Sequence, residues 1–113
     1  MELKDEFGPI IQWAENRGLY EKGDTKTQYI KLQEECGELA KALLKDDREE
    51  IIDAIGDIVI VLTNLTQLTG FAVEDNVFGL RRLQIEDCVN SAYSVIAKRT
   101  GKMENGTFVK DAK

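Results

Sequence analysis

No histidine occurs among the 113 residues, which removes imidazole both as a metal ligand and as the commonest general base. Cys36 and Cys88 are the two cysteines. Without a histidine neither is activated as a nucleophile, and in a chain with no secretory features they read as reduced core thiols rather than a disulfide. The start MELKDEFGP lacks the basic flank and apolar core of a signal peptide, and no apolar segment runs free of charge for roughly eighteen residues. These absences point to a soluble, cytoplasmic protein with no membrane span. A net charge of −6 also disfavours nonspecific nucleic-acid binding, since a polyanion is repelled by such a surface. No internal repeat or low-complexity tract is present, so residues 1–113 read as a single domain with a small core.

What the chain does have is acid in two clusters. Glu34, Glu35 and Glu38 lie in KLQEECGELAKAL, and Glu50, Asp53 and Asp57 in EEIIDAIGDIVIVLTNL. The second cluster is set in one of the most apolar stretches, where an unpaired carboxylate costs several kcal/mol and is normally protonated, paired or bound to a metal. Residues three, four and seven apart share a helix face. Lys31, Glu34 or Glu35, and Glu38 therefore line one stripe, and Glu50, Asp53, Asp57 and Asn64 another. Two such helices packed antiparallel, joined by a connector around Lys45 to Arg48, would point their acids at each other. An all-carboxylate site suits Mg²⁺, which takes oxygen ligands and keeps several waters, better than Zn²⁺. The plainer alternative is a solvated face in which the first cluster pairs with Lys41 and Lys45. A strand at IVIVL, favoured by β-branching, is opposed by length, because the apolar run from Ile51 to Leu68 meets no breaker before Gly70.

The coarse pattern is four helices and a tail. The first begins near Pro9, a good first-turn residue, and ends at Gly18, with Leu19 to Asp24 as linker. Thr25 to Gln28 fits a capping box opening the second helix, which runs to Lys45. Asp47 with Glu50 opens the third and Gly70 closes it. Residues 71–83 read as a short helix and a loop, and Ile85 to Arg99 as the fourth helix. Asn105-Gly106 marks a hairpin turn in the tail. Nine aliphatic residues between Ile51 and Leu65 wrap nearly all round the third helix, the pattern of a helix buried on all sides. So short a chain cannot enclose it, which predicts a homo-oligomer.

The run KLQEECGEL followed by DAIGDIVIVLTNL resembles the MazG-type all-α nucleoside triphosphate pyrophosphohydrolases, whose pattern is EExxE and, about one helical hairpin later, ExxD. WAENRGL on the first helix and the asparagine of TNL extend the likeness. The final stretch, AYSVIAKRTGKMENGTFVK, is similar to small MazG-like proteins carried by phages and prophages. The resemblance implies a four-helix MazG-type bundle with a short C-terminal hairpin or tail. It implies a homodimer or homotetramer with the nucleotide site near the subunit boundary. The implied activity is hydrolysis of a nucleoside triphosphate to the monophosphate and pyrophosphate with Mg²⁺, Mn²⁺ being an alternative.

Carried over residue by residue, the likeness makes Glu35, Glu38 and Asp57 metal ligands, with Glu34 placed to orient or deprotonate the attacking water. Ala54 stands where the glutamate of ExxD is expected; Glu50 to Asp53 spells ExxD one turn early, and Asp53, on the face of Asp57, is the expected replacement. Candidate substrate contacts are Lys31, Asn64 and the basic group Lys98, Arg99 and Lys102, with Trp13 and Asn16 set to stack on and hydrogen-bond to the base. Bland readings stand beside these: the three C-terminal cations answer a helix dipole, and a lone tryptophan in a small helical domain packs into the core. Ala54 also supports a non-catalytic helical interaction or regulatory module that kept the bundle and lost turnover.

Overall fold

The computed structural model describes residues 6–77 and 79–112; the first five residues of the leader reading lie outside them. Pro9 opens α1 (Gly8–Asn16) from its first turn, where a missing N–H costs nothing. Gly18, in the left-handed region at φ 76, turns the chain into α2 (Leu19–Lys22). That single turn of helix occupies what the sequence presented as linker. The next helix, α3 (Thr25–Lys45), is capped one residue earlier than expected. Asp24, not Thr25, is the N-cap, and its Oδ1 accepts from the Thr27 N–H at 2.7 Å. A carboxylate there meets both the orphan donors and the positive end of the helix dipole.

Two residues, Asp46 and Asp47, join α3 to α4 (Arg48–Leu68). Asp46 takes the left-handed conformation (φ 55) that closes α3. Asp47 then caps α4 by accepting from the Glu50 N–H at 3.2 Å. So short a link folds α4 back along α3, and these two form the most extensive packing in the chain, with α1, α2 and α5 also resting on α4. By length and mean hydropathy (1.6) α4 could cross a membrane; here it is the central helix of the bundle.

It is not buried on all sides within one chain, in line with the expectation that so short a chain cannot enclose it. Ile52 and Ile55 remain 55% and 50% exposed, and the buried apolar residues among those described are Ala14, Ala42, Ala54 and Val61. Burial concentrates in the second half of α4, where Thr63 and Thr66 satisfy their hydroxyls on the carbonyls of Val59 and Leu62 at 2.8 and 2.9 Å. The two cysteines are free, as expected, but exposed rather than in the core.

Residues 71–83 hold neither helix nor plain loop but an antiparallel hairpin, β1 (Ala72–Asp75) with β2 (Gly79–Arg82), in register Ala72 to Arg82. Arg81 ties it down. Its Nε donates to Asp75 at 2.9 Å, and its two terminal nitrogens donate to Asp87 on α5 (Ile85–Ile96) at 2.7 and 2.6 Å. This guanidinium holds the Asp87 carboxyl below the usual carboxylate range. The tail is a second hairpin, β3 (Gly101–Glu104) with β4 (Thr107–Lys110). Asn105 and Gly106 at its tip have φ 51 and 80, the two positive values a type I′ turn requires. Among the described residues the architecture is therefore mostly helical, with five helices and two hairpins rather than four helices and a short C-terminal hairpin or tail.

Candidate functional site

Where α3 and α4 run side by side, the buried alanines Ala42 and Ala54 present only methyl groups. Above Ala54 opens a cleft of about 360 Å³ lined by Glu35, Glu38, Glu50, Asp53, Ala54 and Asp57. The first two carboxylates come from α3 and the other three from α4. Four of these are the candidate metal ligands named from the sequence; Glu50 joins them at the wall. Glu34 does not line the cleft. Its exposed carboxylate lies 3.7 Å from Lys31 Nζ, which is in turn 3.3 Å from Glu35 Oε1. The ammonium thus bridges Glu34 and Glu35 at the edge of the acidic row.

The electrostatics of this cleft are one-sided. Burial, and then the negative charges of Asp53 and Glu35, hold the Asp57 carboxyl above its ordinary range, with Lys31 opposing. Lys31 is held more firmly protonated than usual, first by its hydrogen bond to Glu35 and then by that carboxylate's charge. A carboxyl that resists ionisation because other carboxyls crowd it is a group that a cation would relieve. The donor set is all oxygen, which matches a hard divalent ion. Among the described residues the carboxylates share one cleft without being drawn into a single coordination cluster.

The other candidate residues are spread more widely. Trp13 is 49% exposed, which corrects the reading of it as a core residue. It forms an apolar slot of about 320 Å³ with Pro9, Ile10 and Ile60, and the Arg17 guanidinium lies 4.6 Å from its ring centroid. Ile60 is three residues beyond Asp57, so slot and cleft are neighbours along α4. Asn16 is exposed and accepts a hydrogen bond from Gln12 at 2.8 Å. Asn64 is buried, and its Oδ1 accepts from the Tyr20 hydroxyl at 2.7 Å.

Lys98 and Arg99, with Lys110, line a separate groove of about 910 Å³ between the end of α5 and β4. Lys102, on β3, lies 3.7 Å from Glu104. None of these cations lines the carboxylate cleft. Sequence reasoning missed Tyr20, because nothing in LYEKGD marks a residue that meets α4 across 44 positions. It missed Arg81 too, whose partners are set by a hairpin it did not foresee.

The sequence profile of the MazG nucleotide pyrophosphohydrolase domain matches residues 24–104, a span that holds every residue of the cleft and leaves Trp13, Asn16 and Tyr20 upstream. An uncharacterized 18.2 kDa protein from the rep-hol intergenic region of Haemophilus phage HP1 is 43% identical over 58 residues, covering 51% of this chain and 36% of that protein. The chain thus spans about a third of that relative's length. No solved structure matches significantly.

Proposed function

We propose that this chain, which belongs to the MazG nucleotide pyrophosphohydrolase family, hydrolyses nucleoside triphosphates to the monophosphate and pyrophosphate with Mg²⁺, clearing nucleotide pools in the cytoplasm. The observation that carries the reading is the cleft in which carboxylates from two consecutive helices face one space. Glu35, Glu38, Asp53 and Asp57 would hold the divalent ion, with Mn²⁺ as a substitute of the same oxygen preference. When bound, such an ion neutralises phosphate charge and lowers the pKa of water.

The protein's own groups do the rest. Glu34, across the Lys31 ammonium from Glu35, would orient the attacking water and take its proton. Lys31 is a compact cation suited to a phosphate oxygen. The apolar slot at Trp13, one turn from Asp57, would receive the base, with Asn16 three residues beyond Trp13 on α1 and Asn64 farther down α4. Positioning and electrostatic stabilisation would supply most of the acceleration. Lys98 and Arg99 follow the end of α5 and Lys102 lies on β3, whose substantial packing among the described elements is with β4. In a homodimer or homotetramer they would serve the phosphates at a neighbouring copy's cleft.

Pyrophosphate release from a panel of ribo- and deoxyribonucleoside triphosphates, with Mg²⁺ and with EDTA, tests the reading. Release from at least one nucleotide that EDTA abolishes is the expected result. No release from any of them sinks it and favours a bundle without turnover.

Ala54 makes the fourth ligand worth isolating. Its side chain is buried at the cleft floor and offers no oxygen, while both Glu50 and Asp53 stand at the wall. Asp53→Asn is expected to lose activity about as severely as Asp57→Asn, and Glu50→Gln to lose less. Steady-state rates decide it, and full activity in Asp53→Asn would move the role to Glu50 or leave three carboxylates sufficient.

A further inference from the structure

We infer that Tyr20 is a positioning residue, whose hydroxyl fixes the Asn64 carboxamide so that Nδ2 is presented as a donor to an oxygen or ring nitrogen at the nucleoside end of the substrate; this rests on the hydrolase reading above. A carboxamide has nearly the same shape when flipped, so only its partners decide which end points where. At Asn64 one partner is present. The Tyr20 hydroxyl donates to Oδ1 at 2.7 Å, a distance typical of O–H···O bonds.

The other end is left over. Asn64 is 3% exposed, yet its Nδ2 has no acceptor among the hydrogen bonds of the described residues, and it is not one of the buried polar nitrogens or oxygens sealed from solvent without a partner. A buried amide with one end tied and one end open is primed for a ligand acceptor. Burial, with the charge of Glu15 adding and that of Arg82 opposing, pushes Tyr20 up to about 12. The hydroxyl therefore keeps the hydrogen it donates throughout the neutral range.

Distance supports the same assignment. Asn64 follows Asp57 by seven residues on the same face of α4, about 10 Å along the axis. That is the scale separating a nucleotide's phosphates from the far edge of its sugar and base. The left-handed Gly18 and the single turn of α2 bring Tyr20 onto α4 at this point, so a residue outside the family match meets one inside it.

The test is steady-state pyrophosphate release by the intact chain with Mg²⁺ over the same nucleotide panel. Tyr20→Phe deletes one oxygen and keeps the ring. It is expected to raise KM about three- to tenfold, the value of one neutral hydrogen bond, with kcat changed less than about twofold and the preference among nucleotides flattened. Combined with Asn64→Ala it should add nothing, because it acts through Asn64. Unchanged KM and preference in Tyr20→Phe, or a further loss in the double variant, overturns the assignment.

Asn64→Asp keeps an acceptor for the Tyr20 hydroxyl and the side-chain shape while exchanging the outward NH₂ donor for an oxygen and adding a negative charge that repels phosphate. It should raise KM by about tenfold or more, and it carries the test should Tyr20→Phe fail to fold. Wild-type KM in Asn64→Asp overturns the assignment as well. A wild-type chain that releases no pyrophosphate overturns the hydrolase reading and this one with it, whereas the other failures occur in an active enzyme.

Discussion

Glu38→Ala and Asp57→Asn should each abolish pyrophosphate release, by on the order of 10²- to 10³-fold or more, while the protein stays folded. The first effect follows if these oxygens hold the cation that makes the triphosphate reactive. The second follows from the mutual repulsion of the cleft's carboxylates. Asp57 has a folded pKa raised by burial and by Asp53 and Glu35, so the folded state binds its proton more tightly than the unfolded state does. Stability from this group is therefore present in acid and is lost as pH rises from the ordinary carboxylate range through the raised value. At neutral pH Asp57→Asn should melt at or above the wild-type temperature without metal, and the gain should vanish in acid. Millimolar Mg²⁺ should raise the melting temperature of wild type by mass action and that of Asp57→Asn far less. Calorimetry and the rate assay together decide it, and an active Glu38→Ala enzyme would end the ligand assignment.

The second large effect concerns assembly. In light scattering at micromolar concentration the protein should have at least twice the 12.7 kDa mass of one chain. A compact monomer of this mass exposes about 6,200 Å², whereas this chain exposes 8753 Å². The excess is the order of area that each partner contributes to an obligate interface. Its radius of gyration is 16.8 Å, against about 13 Å for a compact domain of this length. Ile55, half exposed on α4, is a place to break the contact without emptying the protomer's core. Ile55→Glu should dissociate the oligomer by about 10²-fold or more, because an unpaired charge in an interface costs several kcal/mol. If cations reach the cleft from a neighbouring copy, mixing an inactive Glu38→Ala protein with a Lys98→Ala/Arg99→Ala protein should restore part of the lost rate. A monodisperse species of one chain's mass would falsify the oligomer.

The parts of the fold that could be read from the residues alone are those whose signals are local. α3 and α4 announce themselves through long periodic runs, Asp47 through its capping position, and the β3–β4 turn through Asn105-Gly106. The β1–β2 hairpin escaped because AVED and GLRR are four residues each and charged, too short for alternation to stand out. α2 escaped because one turn of helix has no period, and its N-cap Gly18 makes no side-chain bond.

At the site, helix arithmetic was enough to place Glu35, Glu38, Asp53 and Asp57 at the wall of one cleft, since it needs only the two helices and their short link. It could not choose between Glu34 and Glu35, which differ by about 100° around α3. It could not find Tyr20, whose partner is fixed by tertiary packing. Hydrophobicity and chain length together did indicate that α4 could not be covered by its own chain, and Ile52 and Ile55 are half exposed.

The two-residue link at Asp46 and Asp47 bears on when the cleft exists as well as where. Every carboxylate at its wall belongs to one helical hairpin that is contiguous in sequence, so its assembly closes the shortest kind of loop and waits for no distant strand to arrive. The peripheral pieces, α1 with α2 and the two β-hairpins, pack less extensively than α3 with α4 and can open and reclose as separate local events. Such openings would disturb the Trp13 slot and the Tyr20–Asn64 bond while the carboxylates of the cleft stayed in place.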